Sequence, residues 1–246
     1  IPLLLIPQMI LSGLLFNFDK LNNAISQKGK VPFVADMVAS RWAYEAMAVY
    51  QYKNNKYEAI FYNEDQAKSQ ADYKSSYLAD ELKKRNQFVL DNYTVKNDSV
   101  QQLVAYNLYI LESTLKSEPT YTGTIPSLKT YTDALGRKVD QDLETYRSQY
   151  KDEYNKKELI AERKMNYLES HNWNITENKN RYFNESLSDL VRNIDTKNRI
   201  LEHEGKLIQQ IDPIYQNALP KNILDYRTIF FCSNKNLLGL TVDTYT

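Results

Sequence analysis

Apolar and polar positions divide the chain into stretches of different period. Ile1–Phe16, IPLLLIPQMILSGLLF, carries no charge, and only Gln8 and Ser12 offer strongly hydrogen-bonding side chains. As a helix it would reach roughly 24 Å, short of the roughly 30 Å of bilayer hydrocarbon. Pro7 removes a backbone donor and clashes with the carbonyl four residues back, and Gly13 is a second weak point. A broken apolar segment persists in lipid only where protein or a water-filled cavity covers the freed backbone groups. The stretch therefore predicts the end of a membrane span or a re-entrant half-helix, separate from the helical body that follows, with a buried helix of a soluble domain as the alternative. It lacks the basic leader and small-residue cleavage site of a secretory signal.

Residues 17–33 are polar and turn-rich, ending at Gly29 and Pro32. Val34–Tyr52 then predicts an amphipathic helix with Arg41 and Glu45 four apart on one face. Its Trp42, Tyr44, Tyr50 and Tyr52 are residue types that settle at a membrane–water interface. Tyr73–Asn92 repeats apolar residues at helical spacing (Tyr77, Leu78, Leu82, Phe88, Val89). Ser99-x-x-Gln102 reads as a capping box opening a helix that buries Val100, Leu103, Val104, Leu108, Leu111 and Leu115. A loop at Pro119–Thr130 precedes the longest element, Thr132–Ser170, on the order of 58 Å if unbroken. His171–Asn174 ends it. Tyr182–Ile194 and Thr196–Ile211 read as further helices, and Asp212-Pro213 as a cap followed by a first-turn proline. The longest strand-period stretch is Thr228–Cys232.

The pattern predicts a mainly α protein: an elongated helical domain with a long antiparallel helix pair, attached to a re-entrant or transmembrane helix end. The expected division is 1–33, membrane segment and linker, and 34–246, a helical domain. Composition agrees, with only 6 Gly and 7 Pro in 246 residues. The 31 basic and 31 acidic residues balance, which argues against a nucleic-acid partner. The 20 tyrosines suit half-buried faces and interfaces. One cysteine, Cys232, and two histidines exclude an internal disulfide and leave little for a metal site. Leu201-Glu202-His203-Glu204 lacks a second ligand cluster and reads as a solvated helix face. His171 reads as a helix C-terminal cap. The sequons at Asn92, Asn97, Asn174 and Asn184 are of a kind that an Asn-rich chain makes by chance. No catalytic, cofactor-binding or metal residue is assigned.

Two runs, IPQMILSGLLFNFDKLN and PFVADMVASRWAYEAM, together resemble the permease part of ABC exporters of the G subfamily, in the long form of Bacteroidetes-like bacteria. The matching residues are Ile6, Pro7, Gln8 and Gly13, then Ser40, Arg41, Trp42, Glu45 and Ala46. The closing stretch DYRTIFFCSNKNLLGLTVDTYT is similar to the family's approach to its last membrane helix, through Phe230, Phe231, Leu238, Gly239, Asp243, Thr244 and Tyr245. The two ends cover about a third of the chain. The resemblance implies a non-catalytic insert between the last two spans, capping the outer mouth of the substrate path. It marks Pro7, Gln8, Gly13, Arg41, Trp42, Glu45, Asp243 and Tyr245 as motif or membrane-interface positions. It further implies a bacterial inner-membrane protein with this part on the periplasmic side. Membrane lipid, a homodimer mate and a nucleotide-binding part would be its partners, the last using ATP and magnesium. No G-x-x-x-x-G-K-[ST] occurs in this sequence. On that reading Phe16, Trp42 and Thr246 lie on one face, with Thr132–Ser170 pointing away. A sensor or ligand-binding domain of a membrane receptor and a soluble coiled-coil scaffold are the alternatives.

Overall fold

The computed structural model describes the backbone of Ile6, Gln8 and residues 39–203, 205–215, 236–237 and 240–241. The remainder of Ile1–Phe16, the 17–33 linker, Thr228–Cys232 and the positions of Phe16 and Thr246 lie outside the described residues. The chain is mainly helical. Its helices are α1 (Ala39–Lys53), α2 (Glu58–Asp72), α3 (Ala79–Asn92), α4 (Asp98–Ser117), α5 (Asp133–Ser170), α6 (Ile175–Tyr182) and α7 (Glu185–Arg192). A π-helical turn, Tyr73–Leu78, joins α2 to α3, so the chain stays helical from Glu58 to Asn92. An antiparallel hairpin follows, β1 (Ile200–His203) with β2 (Lys206–Gln209), then a 3-10 turn at Pro213–Tyr215. Two short strands, β3 (Asn236–Leu237) and β4 (Leu240–Thr241), pair near the C-terminus.

These elements fall into two compact units. The first comprises Ile1–Gln66, Arg163–Lys197 and Gln210–Thr246. Its core is Ala48, Val49 and Tyr52 of α1, Tyr62 of α2, Val191 of α7, and Ile214 and Tyr215. Lys164 fastens α5 to α2 here, its ammonium bonding the Ile60 carbonyl at 2.5 Å and the Glu64 carboxylate at 3.0 Å.

The second unit comprises Ala67–Glu162 and Asn198–Gln209. The antiparallel pair α3 and α4 packs Leu82 and Val89 against Val104, Leu108, Leu111 and Leu115, with Val139 and Leu143 of α5 closing the core. A fully buried Asn86 donates to the Gly136 carbonyl at 2.8 Å and accepts from the Tyr131 hydroxyl at 3.0 Å. A Cβ at Gly136 would collide with Leu90 and Tyr131, so the absent side chain lets α5 close on α3.

The long helix begins and ends within a residue of its sequence expectation. Asn172, at a φ of 64°, terminates it, with the Trp173 amide turning back to the Leu168 carbonyl at 3.0 Å. The His171 ring nitrogen contacts the Tyr167 carbonyl at 2.8 Å, the expected capping role.

Five expectations are corrected. Thr196–Ile211 is largely a hairpin, not a helix. Ile200 and Leu207 sit at alternating positions that meet the core, and Gly205, at a φ of 76°, closes a two-residue turn. Tyr109 of α4 lies over Gly205 and leaves no room for a Cβ. Glu202 is therefore not on a solvated helix face. It accepts from the Arg85 guanidinium at 2.6 Å and from the Tyr106 hydroxyl. Burial works against its charge, but these bonds outweigh burial and hold its carboxyl below the usual range. The cap of α4 is Asn97, accepting from the Ser99 and Val100 amides at 3.0 and 3.3 Å, not Ser99 with Gln102. Leu103 of that helix is exposed rather than buried. Tyr182–Ile194 is two elements: α6 ends at Tyr182 and Asn184 caps α7 through the Leu187 amide at 3.0 Å. Asn174 likewise caps α6 through Glu177, so three of the four sequon asparagines are helix caps.

Candidate functional site

Helix α1 buries its charged pair on the same side as its core residues Ala48, Val49 and Tyr52. Its only formal charges between Ala39 and Gln51, Arg41 and Glu45, are 1% and 6% exposed, whereas Met47 and Tyr50 are 64% and 60% exposed. Ala43 and Ala46 share the outward stripe. Arg41 and Glu45 approach to 3.7 Å, one helical turn apart, and the Arg41 guanidinium lies 4.5 Å from the centre of the half-buried Trp42 ring. The neighbouring Ser40 hydroxyl donates to the Gln8 carbonyl at 3.1 Å. Four of the eight motif positions, Gln8, Arg41, Trp42 and Glu45, thus gather around the start of α1. Pro7, Gly13, Asp243 and Tyr245 lie outside the described residues.

A second polar cluster lies in the same unit; of its residues the sequence singled out Tyr52, as an interface type that proves to be buried, and Asp212, as a cap. The turn at Pro213–Tyr215 inserts among α1, α2 and α7. Tyr215 donates to the Glu58 carboxylate at 3.0 Å, and its hydroxyl lies 2.6 Å from that of Tyr52. Tyr62 donates to the Ile214 carbonyl at 2.9 Å and Gln66 to the Tyr215 carbonyl at 3.0 Å. Arg192 grips Asp212 at 2.7 Å, while the Asp212 amide donates back to the Arg192 carbonyl at 2.7 Å. Glu58 is 3% exposed, and burial raises its carboxyl above the ordinary range against the hydrogen bonds of Tyr52 and Tyr215. Burial likewise pushes both tyrosine hydroxyls well up, so neither ionises near neutrality. Burial disfavours the Arg192 charge, but the Asp212 bond outweighs it and the guanidinium stays charged. The cluster holds the returning chain in place. The readable signal was position: Glu58 shares a helix face with buried Phe61 and Tyr62.

The second unit contains a cluster on the π-helical turn, a feature frequent at functional sites. The Lys74 ammonium bonds the Glu118 carboxylate at 2.7 Å and the Tyr150 hydroxyl at 3.2 Å. Tyr146 donates to the same carboxylate oxygen at 3.0 Å. Burial lowers the lysine pKa, but the Glu118 bond and charge more than offset it, and the ammonium is held above its ordinary value. A lysine kept protonated is a poor base or nucleophile, which makes this a strut between α4 and α5 rather than a catalytic pair.

Among the described residues no group of three or more His, Cys, Asp or Glu side chains could hold a metal ion. Among them, too, no helix is long and apolar enough to cross a membrane. Comparison with protein-family models, with curated proteins and with solved structures gives no match.

Proposed function

We propose that this chain is the non-catalytic extracytoplasmic part of an ATP-driven ABC exporter permease, standing on the outer face of a bacterial inner membrane and capping the substrate path. The supporting observation is α1. It carries the S-R-W-x-x-E-A motif with its charges turned inward and an uncharged Ala43, Ala46, Met47, Tyr50 stripe turned outward. A helix exposing that stripe to water gains nothing from it. A helix lying against lipid or neighbouring spans buries it at roughly 25 cal/mol per Å². The Ser40–Gln8 bond supports the same reading, because it joins this helix to the uncharged N-terminal run. The rest of the permease, a second copy and surrounding lipid are the partners on this reading. ATP and magnesium belong to the nucleotide-binding part.

The coding sequence on either side tests the reading. It should show a P-loop upstream and about 20 apolar residues soon after Thr246. A signalling domain in their place would favour a receptor and overturn the exporter. Labelling gives a second test on the full-length protein in native membranes with Cys232→Ser. Met47→Cys should resist a water-soluble maleimide, while Lys138→Cys, on an exposed position of α5, should react. Equal reaction at both positions would overturn the membrane-standing reading.

A further inference from the structure

The first unit carries a cation–aromatic surface that neither polar cluster uses. Tyr57, just before α2, stacks nearly parallel to Trp173, with ring centres 6.1 Å apart, and meets Phe183 edge-on at 5.6 Å. Trp173, Tyr182 and Phe183 are all half-buried. Around them stand three exposed cations. The Lys56 ammonium lies 5.1 Å and the Arg181 guanidinium 5.5 Å from the Tyr182 ring centre, and the Lys179 ammonium lies 5.4 Å from that of Phe183. Among the described residues none of the three forms an ion pair. Elsewhere in this unit Arg41, Lys164 and Arg192 each reach a carboxylate. Glu177 and Glu185, the acids nearest in sequence to Lys179 and Arg181, stand in the first turns of α6 and α7, where the helix dipole favours them, and Glu58, nearest to Lys56, is buried and accepts from Tyr215.

We infer that Lys56, Lys179 and Arg181, with Trp173 and Tyr182, form a binding surface for the phosphate of an anionic lipid headgroup. This rests on the membrane-standing reading above. Two observations choose lipid over another anion. Long basic side chains with Trp and Tyr rings are the residues that occupy the headgroup layer, stems and rings toward the apolar side and charges on phosphate. Lys56 also lies three residues beyond the end of the helix that carries the outward stripe, α1 ending at Lys53. An apolar stripe with a cation just beyond the end of its helix fits a bilayer, acyl chain at the stripe and phosphate at the cations. A soluble acidic partner would leave the stripe uncovered.

The chain has two tryptophans, so Trp42→Phe leaves Trp173 as the sole reporter in the full 246-residue chain. Vesicles of phosphatidylcholine with phosphatidylglycerol should shift Trp173 emission to the blue. A nitroxide at headgroup depth should quench it, and added salt should reverse both effects. Phosphatidylcholine alone should give a weaker response. Lys56→Gln/Lys179→Gln/Arg181→Gln should weaken the response roughly 100-fold, at a few-fold per lost cation. Lys56→Arg/Lys179→Arg should retain it. Equal responses to the two lipids, or an undiminished response in the glutamine variant, would overturn the inference. So would saturation by inorganic phosphate or a soluble acidic polysaccharide without vesicles, which would make the surface a site for a soluble anion. If Trp173 stays silent while Met47→Cys remains protected, the headgroup site falls and the exporter reading stands. If Met47→Cys is freely labelled as well, both fall.

Discussion

Glu58 shows what a single buried carboxylate contributes and what it costs. Burial favours its protonated form, Asp65 adds to that, and Tyr52, Tyr215 and Arg192 oppose it. Because the folded-state pKa is raised, the folded protein holds the proton to higher pH than the unfolded chain. The associated stability is complete below the ordinary carboxylate pKa and is lost as pH rises through the raised value. Glu58→Gln keeps an acceptor for the Tyr215 hydroxyl and removes the titration. Thermal melts should therefore show a flatter fall in Tm from acidic to neutral pH, with neutral-pH stability equal to the parent or above it. Glu58→Ala removes the carboxylate to which the Tyr215 hydroxyl donates and should cost about 1–3 kcal/mol. An unchanged pH slope in Glu58→Gln would assign the dependence elsewhere. The motif residues Arg41 and Glu45 were visible in the sequence because their spacing announces a pair. Glu58 was harder to see, because its partner Tyr215 is 157 positions away.

At the scale of elements, the long helix and the hairpin explain what the sequence disclosed. Asp133–Ser170 keeps one apolar stripe (Val139, Leu143, Tyr146, Tyr150) through many turns, and only a helix satisfies it. The hairpin residues carry adjacent apolar pairs, Ile200-Leu201 and Leu207-Ile208, which fit a helix of that length as well as two short strands. Gly205 and its packing under Tyr109 decide the matter, and Tyr109 is a tertiary neighbour that no local period contains. The π-helical turn was equally invisible, since one added residue leaves composition unchanged. The start of α4 was missed by two residues because Ser99 and Asn97 both suit a cap. The geometry separates them by experiment. Asn97→Ala removes the acceptor for two helix amides and should cost about 1 kcal/mol. Ser99→Ala should cost a few tenths at most, and chemical denaturation of the two variants checks the order.

At the scale of the whole molecule, folding draws on the inward face of α1, and the proposed membrane contact would draw on its outward face. The inward face of α1 supplies Ala48, Val49 and Tyr52 to the core of the first unit, so its loss is a stability defect. The outward face supplies nothing to that core. Met47→Asp and Tyr50→Asp should accordingly change unfolding stability by no more than about 0.5 kcal/mol, as is usual for exposed positions. In the full-length protein the same changes place a carboxylate where lipid or a neighbouring span is proposed to sit. Desolvating it there is costly. Membrane-extracted, correctly assembled protein should therefore fall while the purified chain melts normally. Val49→Ala supplies the contrast: it empties a buried site, should lower the melting temperature, and should impair assembly only in step with that loss. If the aspartate variants assemble as well as the parent, the outward stripe faces water, and the membrane-standing reading loses its main support.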